Sequence, residues 1–502
     1  MISLDFPPGV TTLLSRSKQI RNWRDANLVR WDNGTTLRPI GGWEQVNYST
    51  AFASRVRAMH RWVTQTGIVY TAYLCEQHCY IDSGGNLSDI TPAGGMAPLT
   101  GDTAGYGELA YNLSTYGTVR PGLSTMQKFS PVWTVNNWGE DLLVMTSYDG
   151  RLLRWKPSTP GTPLVAVPSA PVGNRQFVIT PEHHCMLFQM GAVFAKFGWC
   201  DEEDLEDWNF ADITNKAGFL TVDPYSPIVA VQLTSAGIVI FTPAMSHIIE
   251  YIGLPFIYRI RPIGKVPIPI SAASVSSVPD GVVWISVEGF WIFNGSSVNI
   301  LPCPFWDVIS ASMDFSRTVR EAAIVSLQNR GEIWWFWVDI DYGTRNSRYA
   351  AYDFRSNIWL PGFMSRTCGF SYANERNPIM SDGIKIWKHE VGLQYPEALF
   401  MPYLESQTLN SENGARMTTL NKILPDIRGD KTAIAFSLVK SNDRTAYNGQ
   451  TISPRRGVNE HGWVDMRETA QDLRLRIEMI NNRDWSTVGP IIFDFKTRGK
   501  TK

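Results

Sequence analysis

Short apolar runs dominate the pattern of this chain. Runs of β-branched and aromatic residues are bounded by Gly, Pro, Asn and Asp. Such runs are typical of antiparallel strands joined by tight turns. Long segments with the 3.6-residue period of an amphipathic helix are nearly absent. The pattern therefore predicts an all-β protein.

A two-strand phrase recurs along the chain. Its first strand follows a glycine and has an apolar centre, and its second strand ends in an aromatic residue. Copies lie at 67–92, 138–155, 237–251, 281–295, 331–359 and 381–387. One hairpin is marginal in water, but several at a spacing of about 40 residues can bury one another's faces. We therefore predict a β-propeller of six or seven blades over residues 55–398.

Three other segments differ from this repeat. Residues 93–129 are rich in Gly, Thr, Tyr and Ser and form a long insertion, which we interpret as a channel gate or a subunit-contact arm. Residues 399–502 alternate apolar and polar positions and predict an additional β-rich, sandwich-like C-terminal domain. Residues 1–54 are expected to close or flank the propeller.

Composition narrows the possible partners. The chain has 502 residues, a formal net charge of −1, 44% hydrophobic residues and 19 tryptophans. This charge argues against a dedicated DNA-binding protein, although DNA could still slide past a neutral surface. The tryptophans suggest sheet-edge anchors, subunit interfaces, or both. No apolar run approaches the roughly 18 residues of a membrane-spanning helix.

Cysteine usage and the N-terminus favour a reducing compartment. The first residues lack the basic and apolar regions of a secretory signal. We therefore expect buried free thiols rather than disulfides. The six cysteines follow no regular spacing: Cys75, Cys79, Cys185, Cys200, Cys303 and Cys368.

Two turns resemble the Asp-box of sialidase propellers. They are Asp149-Gly150 with Trp155, and Asp382-Gly383 with Trp387. A hairpin turn explains each pair without catalysis, because Gly supplies positive φ and Asp bonds its own backbone. A glycosidase would also need paired carboxylates, which the sequence does not assemble.

Three places in the sequence group residue types that can bind metal ions. Two are the clusters Cys75/His78/Cys79 and His183/His184/Cys185, which lack the second ligand pair of a structural zinc site. The third is the acidic run 201–207, which favours a solvated loop but could hold a divalent cation or repel DNA from a channel wall. No nucleotide-binding loop, nucleophile elbow or metalloprotease motif is present. We predict no catalytic, cofactor-binding or metal-binding residues, no enzymatic activity, no cofactor and no small-molecule partner.

Four phrases in a fixed order resemble one family. They lie at 23–43, at 116–143, at 199–218 and at 464–489. The first contains Val29-Arg30-Trp31 and Gly41-Gly42-Trp43, and the whole set resembles tail nozzle or hub proteins of short-tailed bacteriophages, a group that includes packaged-DNA stabilisation proteins. In the third phrase Cys200 stands where a hydroxyl residue is expected.

The resemblance implies a virion structural protein assembled in the host cytoplasm. Such proteins carry a β-propeller and form a homo-oligomeric ring, typically a hexamer, below the portal and its adaptor (head-completion) protein. The ring continues and closes the channel for double-stranded DNA, retains the packaged genome without reading its sequence, and docks fibres or spikes. Two alternatives stay open: a propeller enzyme that degrades glycans, and a non-viral propeller scaffold for protein interactions.

Overall fold

The computed structural model describes all residues except 13–21, 99–129, 213, 373–374, 410–415, 442–449, 488 and 501–502. Within this described part, seven consecutive four-stranded antiparallel sheets occupy the middle of the chain. Three further sheets take their strands from both ends of the chain.

The seven consecutive sheets are the blades, numbered here in chain order. Blade 1 comprises Val56–Val63, Val69–Cys75, Cys79–Ser83 and Asn86–Asp89. Blade 2 comprises Trp133–Trp138, Asp141–Thr146, Leu153–Trp155 and Val165–Ala166. Blade 3 comprises Gln176–Ile179, Cys185–Phe188, Lys196–Trp199 and Gly218–Thr221. Blade 4 comprises Ala230–Thr234, Gly237–Phe241, Ser246–Gly253 and Ile257–Gly264. Blade 5 comprises Val275–Val278, Gly281–Ser286, Gly289–Phe293 and Val298–Leu301. Blade 6 comprises Ala323–Leu327, Glu332–Trp337, Arg348–Asp353 and Ile358–Phe363. Blade 7 comprises Cys368–Phe370, Ile379–Ser381, Ile386–His389 and Trp43–Val46.

The blades close into a ring around a central axis. The first strand of each blade contacts the first strand of the next, and Cys368–Phe370 of blade 7 contacts Val56–Val63 of blade 1. The outer strand of blade 7 comes from the start of the chain, where Trp43–Val46 pairs antiparallel with Ile386–His389. The prediction of a β-propeller is confirmed, with seven blades.

The repeat pattern in the sequence contained no copy at blade 3. All four of its strands have only four residues each. Its last two strands are separated by a long loop at 200–217. The Gly-start and aromatic-end phrase is therefore diluted there, although the strands bury Phe177, Phe188 and Phe197 as fully as the other blades bury theirs.

The additional β-rich domain uses both chain ends. One sheet joins Ile2–Leu4, Ile491–Lys500, Arg416–Leu424 and Val464–Ala470. A second joins Trp23–Asn27, Tyr403–Ser406, Asp472–Met479, Ile434–Ser441 and Thr451–Ile452. A third joins Val29–Asp32, Thr36–Pro39, Trp485–Thr487 and Ile427–Gly429. The segment 1–54 thus divides between this domain and the outer strand of blade 7.

Helical structure is confined to short segments. Two α-helices, Trp306–Ser312 and Phe315–Glu321, connect blade 5 to blade 6. Asp314 caps the second helix by accepting a hydrogen bond from the backbone N–H of Arg317. Short 3-10 turns occupy Met190–Ala192, Ala272–Ser274 and Lys431–Ala433. None of the helices in the described part of the chain has the length and apolarity needed to cross a bilayer.

A buried ion network joins the propeller to the additional domain. Arg30, on the strand Val29–Asp32, contacts Glu332 of blade 6 at 3.1 Å and Glu390 at 2.7 Å. Arg330 contacts Glu390 at 3.0 Å, and Gly41 N–H donates to the same carboxylate. Burial raises the pKa of Glu390, but Arg30 and Arg330 outweigh it and lower the pKa. Burial raises the pKa of Glu332, and Arg30 offsets that rise only in part.

Tryptophans lie inside the molecule rather than at its surface. Most are buried in the blades or in the additional domain, and none is among the exposed large hydrophobic residues. Trp335, Trp359 and Phe290 stack together between blades 5 and 6. Most tryptophans therefore serve as core residues of the blades and of the additional domain.

Candidate functional site

One face of the propeller gathers the charged groups near the axis. Because each blade is an antiparallel meander, the loops before its first strand and between its second and third strands share one face, called here the upper face. The first strands of blades 2–7, all within the described residues, contain no Asp, Glu, Lys, Arg or His. The first strand of blade 1 contains Arg57, His60 and Arg61. Charge on the innermost strands thus comes from blade 1 alone.

A segment before blade 2 crosses this face. The Ser130 hydroxyl accepts a hydrogen bond from the Ala272 backbone N–H of blade 5 at 2.9 Å, and the Ser130 carbonyl accepts one from Arg175 at 2.5 Å. Val132 packs in the apolar cluster that blades 4 and 5 share, which includes Trp284. Ser130–Val132 is buried, so it occupies part of the upper end of the axis.

Beside this segment, two arginines bind the same carboxylate, that of Glu321. Arg55 donates to Glu321 from Nη1 and Nη2 at 2.9 and 2.7 Å. Arg57 donates to the same carboxylate from both Nη atoms at 3.0 Å, and its Nε donates to Glu76 at 3.0 Å. Burial raises the pKa of Glu321, but the two guanidinium groups outweigh it and lower the pKa. Two bidentate guanidinium groups therefore keep the Glu321 carboxylate ionised.

Neighbouring blades hold this cluster in place. The Arg57 guanidinium lies 4.8 Å from the Trp133 ring centroid, and Trp133 Nε1 donates to Tyr148 Oη at 2.7 Å. Tyr148 in turn donates to the Glu76 carbonyl. Asn346 donates to the Glu321 carbonyl at 2.5 Å. Residues of blades 1, 2 and 6 thus fix the two guanidinium groups and the Glu321 carboxylate, a charged set that suits binding of a charged partner more than proton transfer.

A second buried arginine lies under the outer strand of blade 7. Arg366 donates from Nε to His389 Nε2 at 3.0 Å and from Nη1 to the Ser365 carbonyl at 2.5 Å. Its guanidinium lies 5.1 Å from the Trp43 ring centroid. Burial lowers the pKa of Arg366 to about 10. Burial, and then the charges of Arg366 and Arg30, lower the pKa of His389 well below its usual value, so the imidazole accepts the bond from Arg366 as a neutral ring.

The Asp-box-like residues belong to turns on the upper face. Asp149 accepts bonds from Arg151 at 2.5 and 2.7 Å and from Ala97 N–H at 2.8 Å. Asp382 accepts bonds from the backbone N–H groups of residues 384 and 385 and from Trp387 Nε1 at 2.8 Å. Asp382 is thus used within its own hairpin, whereas Asp149 also joins its turn to the segment that follows blade 1. Trp155, in contrast, packs in the cluster between blades 1 and 2.

The first Cys/His cluster does not converge. Cys75 packs in the cluster with Cys368 between blades 1 and 7, whereas Cys79 packs in the cluster between blades 1 and 2. The two thiols therefore lie on opposite faces of their sheet. His78 instead contacts the Ser54 hydroxyl at 3.2 Å.

The second Cys/His cluster also separates. His183 packs on Trp138, and buried His184 contacts the Cys200 carbonyl through Nδ1 at 2.8 Å. Cys185 faces the apolar cluster that blades 2 and 3 share. All six cysteines of the chain are described, buried and unpaired, as expected from the sequence. Burial raises the pKa of Cys200 to about 12.

The acidic run is a hydrogen-bonded loop of blade 3. Asp201 accepts a bond from the Lys216 backbone N–H at 2.7 Å, and Lys216 Nζ pairs with Glu202. Asp207 accepts bonds from the Asn215 side chain at 3.1 Å. Among the described residues, no three His, Cys, Asp or Glu side chains are grouped so that they could hold a metal ion. The insertion 93–129, interpreted as a gate or contact arm, lies outside the described residues from position 99 onward.

Sequence reasoning missed the arginine cluster. Arg55 and Arg57 flank the first residue of blade 1, while Arg317 and Arg320 lie far away in the chain, on the Phe315–Glu321 helix. The only local signal was Arg-Val-Arg at the start of a strand in a set of otherwise uncharged inner strands. Its meaning depends on ring closure, which brings blade 1 next to the helix before blade 6.

The outer edge of blade 4 carries exposed apolar residues. Its third and fourth strands form a long hairpin, paired from Ser246–Gly264 to Gly253–Ile257. At the tip, Leu254 is 73% exposed and Phe256 is 74% exposed. An apolar tip of this kind is typical of a surface covered by a partner.

Comparisons with known proteins add little to this geometry. No protein-family model and no curated protein matches the sequence. PorZ, an essential bacterial surface component of the type-IX secretion system of Porphyromonas gingivalis, aligns with a TM-score of 0.35 and 8% identity over 75% of this chain. The aligned region spans 44% of PorZ, which is less than half of that protein. The Pan2 WD40 domain of Neurospora crassa aligns with a TM-score of 0.38 and 11% identity, over 71% of this chain and 98% of the domain.

Proposed function

We propose that the chain is a structural subunit of a short bacteriophage tail, which forms a nozzle or hub ring below the portal and adaptor. In this role it continues and closes the DNA channel, retains the packaged genome and docks fibres or spikes. The proposed identity rests on the four sequence phrases that resemble tail nozzle proteins.

One observation carries the proposal further: phrases from opposite ends of the chain meet in the same sheets. In the second sheet of the additional domain, Trp23–Asn27 pairs with Tyr403–Ser406, which pairs with Asp472–Met479. In the third sheet, Leu37 pairs with Thr487. Residues of the first and fourth phrases therefore build one packed unit that is joined to the propeller by the Arg30 network, whereas the described parts of the second and third phrases lie in blades 2 and 3. A resemblance that covers a folded unit supports a shared architecture better than scattered loop matches would.

A ring also needs a subunit contact that closes on itself. Head-to-tail contacts generate rings when the rotation between copies closes, and their cores are apolar. The hairpin tip of blade 4, with Leu254 and Phe256, supplies an apolar surface of this kind. The buried ion network between the domains favours a rigid subunit that keeps the angle between neighbouring copies constant.

The proposal is tested in a phage whose genome encodes this chain. A nonsense codon at Trp43 is propagated in hosts with and without a suppressor tRNA that inserts tryptophan, and the particles are treated with DNase after purification. We expect heads assembled without the chain to package DNA and then release it, and suppressed particles to retain it. Particles that lack the chain and still hold a DNase-resistant genome would contradict the proposal. Turnover of host surface polysaccharide by the purified chain would instead favour a glycan-degrading enzyme.

A further inference from the structure

A cleft of about 470 Å³ opens on the upper face between blades 1 and 6. Its charged lining consists of Arg55, Arg57, Arg317, Arg320, Glu76 and Glu321, and the remaining lining residues are uncharged and polar. Four guanidinium groups thus face two carboxylates. The cleft carries an excess of positive charge in a protein whose formal net charge is −1.

Two of the four arginine side chains keep N–H donors available for a ligand. Arg320 makes no hydrogen bond or ion pair with any residue in the described part of the chain. Arg317 makes only long contacts, to Asp314 at 3.4 Å and to the Gly343 carbonyl at 3.5 Å. Both distances are at the weak end of the hydrogen-bond range. Arg55 and Arg57, in contrast, already share Glu321 in bidentate geometry.

The lining selects the chemistry of the ligand. No apolar or aromatic side chain faces the cleft, so it offers neither a pocket for an apolar peptide side chain nor a platform for a nucleobase. Guanidinium groups present several N–H donors in a fixed fork, which matches the oxygens of a phosphate. We propose that this cleft binds a phosphate group, with Arg320 and Arg317 as the principal donors. The phosphate comes from a free anion or from the backbone of DNA.

The proposal is tested by isothermal titration calorimetry with inorganic phosphate at low ionic strength, where screening is weakest. Arg320→Gln removes the unpaired guanidinium, and we expect it to weaken phosphate binding by about tenfold or more, since a charge-assisted hydrogen bond is lost. The matched control is Arg376→Gln, an exposed arginine in the loop between the first two strands of blade 7, on the opposite face of the propeller. This control should leave binding unchanged. Wild-type protein that takes up no phosphate, or equal affinities for all three proteins, would overturn the proposal.

A second variant should change the phosphate affinity in the opposite direction. Glu321→Gln removes the carboxylate that competes for Arg55 and Arg57, so we expect phosphate binding to tighten severalfold. Thermal unfolding followed by tryptophan fluorescence checks that the variant is folded. A folded Glu321→Gln protein that binds phosphate more weakly than wild type would show that the cluster is only structural and would overturn the proposal.

A parallel titration with a short labelled duplex identifies the source of the phosphate. Duplex binding that weakens in Arg320→Gln but not in Arg376→Gln assigns the DNA backbone, and phosphate binding without duplex binding assigns a free anion. Both results support the cleft as a phosphate site. These measurements use the purified chain and do not depend on ring assembly. The phosphate site could therefore be disproved while the tail assignment holds, and the tail assignment could be disproved while the phosphate site holds.

Discussion

Removal of one buried ion between the domains should cost a large part of the stability of the chain. In Arg30→Met, Glu332 and Glu390 lose the guanidinium that lies 3.1 and 2.7 Å away. At an effective dielectric constant of about 20, each contact is an attraction of about 5–6 kcal/mol. Desolvation of each ion offsets several kcal/mol of that attraction. Because the carboxylates stay buried without their partner, we expect the free energy of unfolding to fall by about 3–5 kcal/mol.

Urea unfolding followed by tryptophan fluorescence at pH 7.5 measures this loss. The matched control is Arg38→Met in the neighbouring strand, whose side chain is 43% exposed and pairs with Asp32 at 2.8 Å. It should lose less than about 1 kcal/mol. Arg30→Met/Glu332→Met, which removes a whole ion pair, should recover much of the loss.

The same variant makes a prediction about pH. Burial already raises the pKa of Glu332 in the wild-type protein, and loss of Arg30 should raise it further. The folded Arg30→Met protein therefore binds a proton more readily than its unfolded form. Its loss of unfolding free energy relative to wild type should thus be smaller at pH 5 than at pH 7.5. A deficit no larger than that of Arg38→Met, or one that does not change with pH, would refute the reasoning.

Three further variants test how the ring of blades is held. Gly281 has φ +139°, and a Cβ there would lie 1.9 Å from the Phe293 carbonyl oxygen. Gly289 has a similar φ of +144°, but the nearest atom to a Cβ there would be the Ile300 side chain at 3.8 Å, an ordinary contact. Gly281→Ala should therefore be more destabilising than Gly289→Ala by about 2 kcal/mol or more in urea unfolding, and equal losses would contradict the clash. Trp43→Ala, in the outer strand of blade 7, removes a 3%-exposed ring and its bond to the Pro396 carbonyl, so the unfolding free energy should fall by about 3–5 kcal/mol; a loss under about 1 kcal/mol would mean that this strand does not hold the ring closed. The lowered pKa of His389 means that the unfolded chain binds a proton more readily than the folded chain, so wild-type stability should fall by up to about 1.4 kcal/mol per pH unit below about pH 6.5. His389→Gln should flatten that slope, and an unchanged slope would assign it to other groups.

The all-β class and the propeller could be predicted because each blade repeats a local signal. Glycine starts, Asp-Gly turns and aromatic strand ends depend on neighbours within a few residues. The Asp149 and Asp382 turns are examples, since each carboxylate accepts a hydrogen bond from the residue two positions further along the chain. Blade 3 escaped prediction because its short strands and long outer loop weaken the same local signal.

Features that depend on distant contacts could not be predicted. The pairing of Trp43–Val46 with Ile386–His389 joins residues more than 300 positions apart, and no periodicity in either strand encodes it. The same holds for the fork of Arg55 and Arg57 on Glu321, which exists only because ring closure brings the start of blade 1 near the helix that precedes blade 6. At Cys75/Cys79, where the spacing already lacked the second ligand pair of a zinc site, the two thiols pack in different apolar clusters on opposite faces of their sheet.

Electron cryo-microscopy of the purified chain, alone and mixed with phage portal–adaptor particles, tests the proposed tail role most directly. We predict closed rings of six copies, about 340 kDa from a chain of 56.5 kDa, seated coaxially on the adaptor with the channel running through the ring. A chain that stays monomeric in both samples would contradict the account and would favour a propeller scaffold outside the tail.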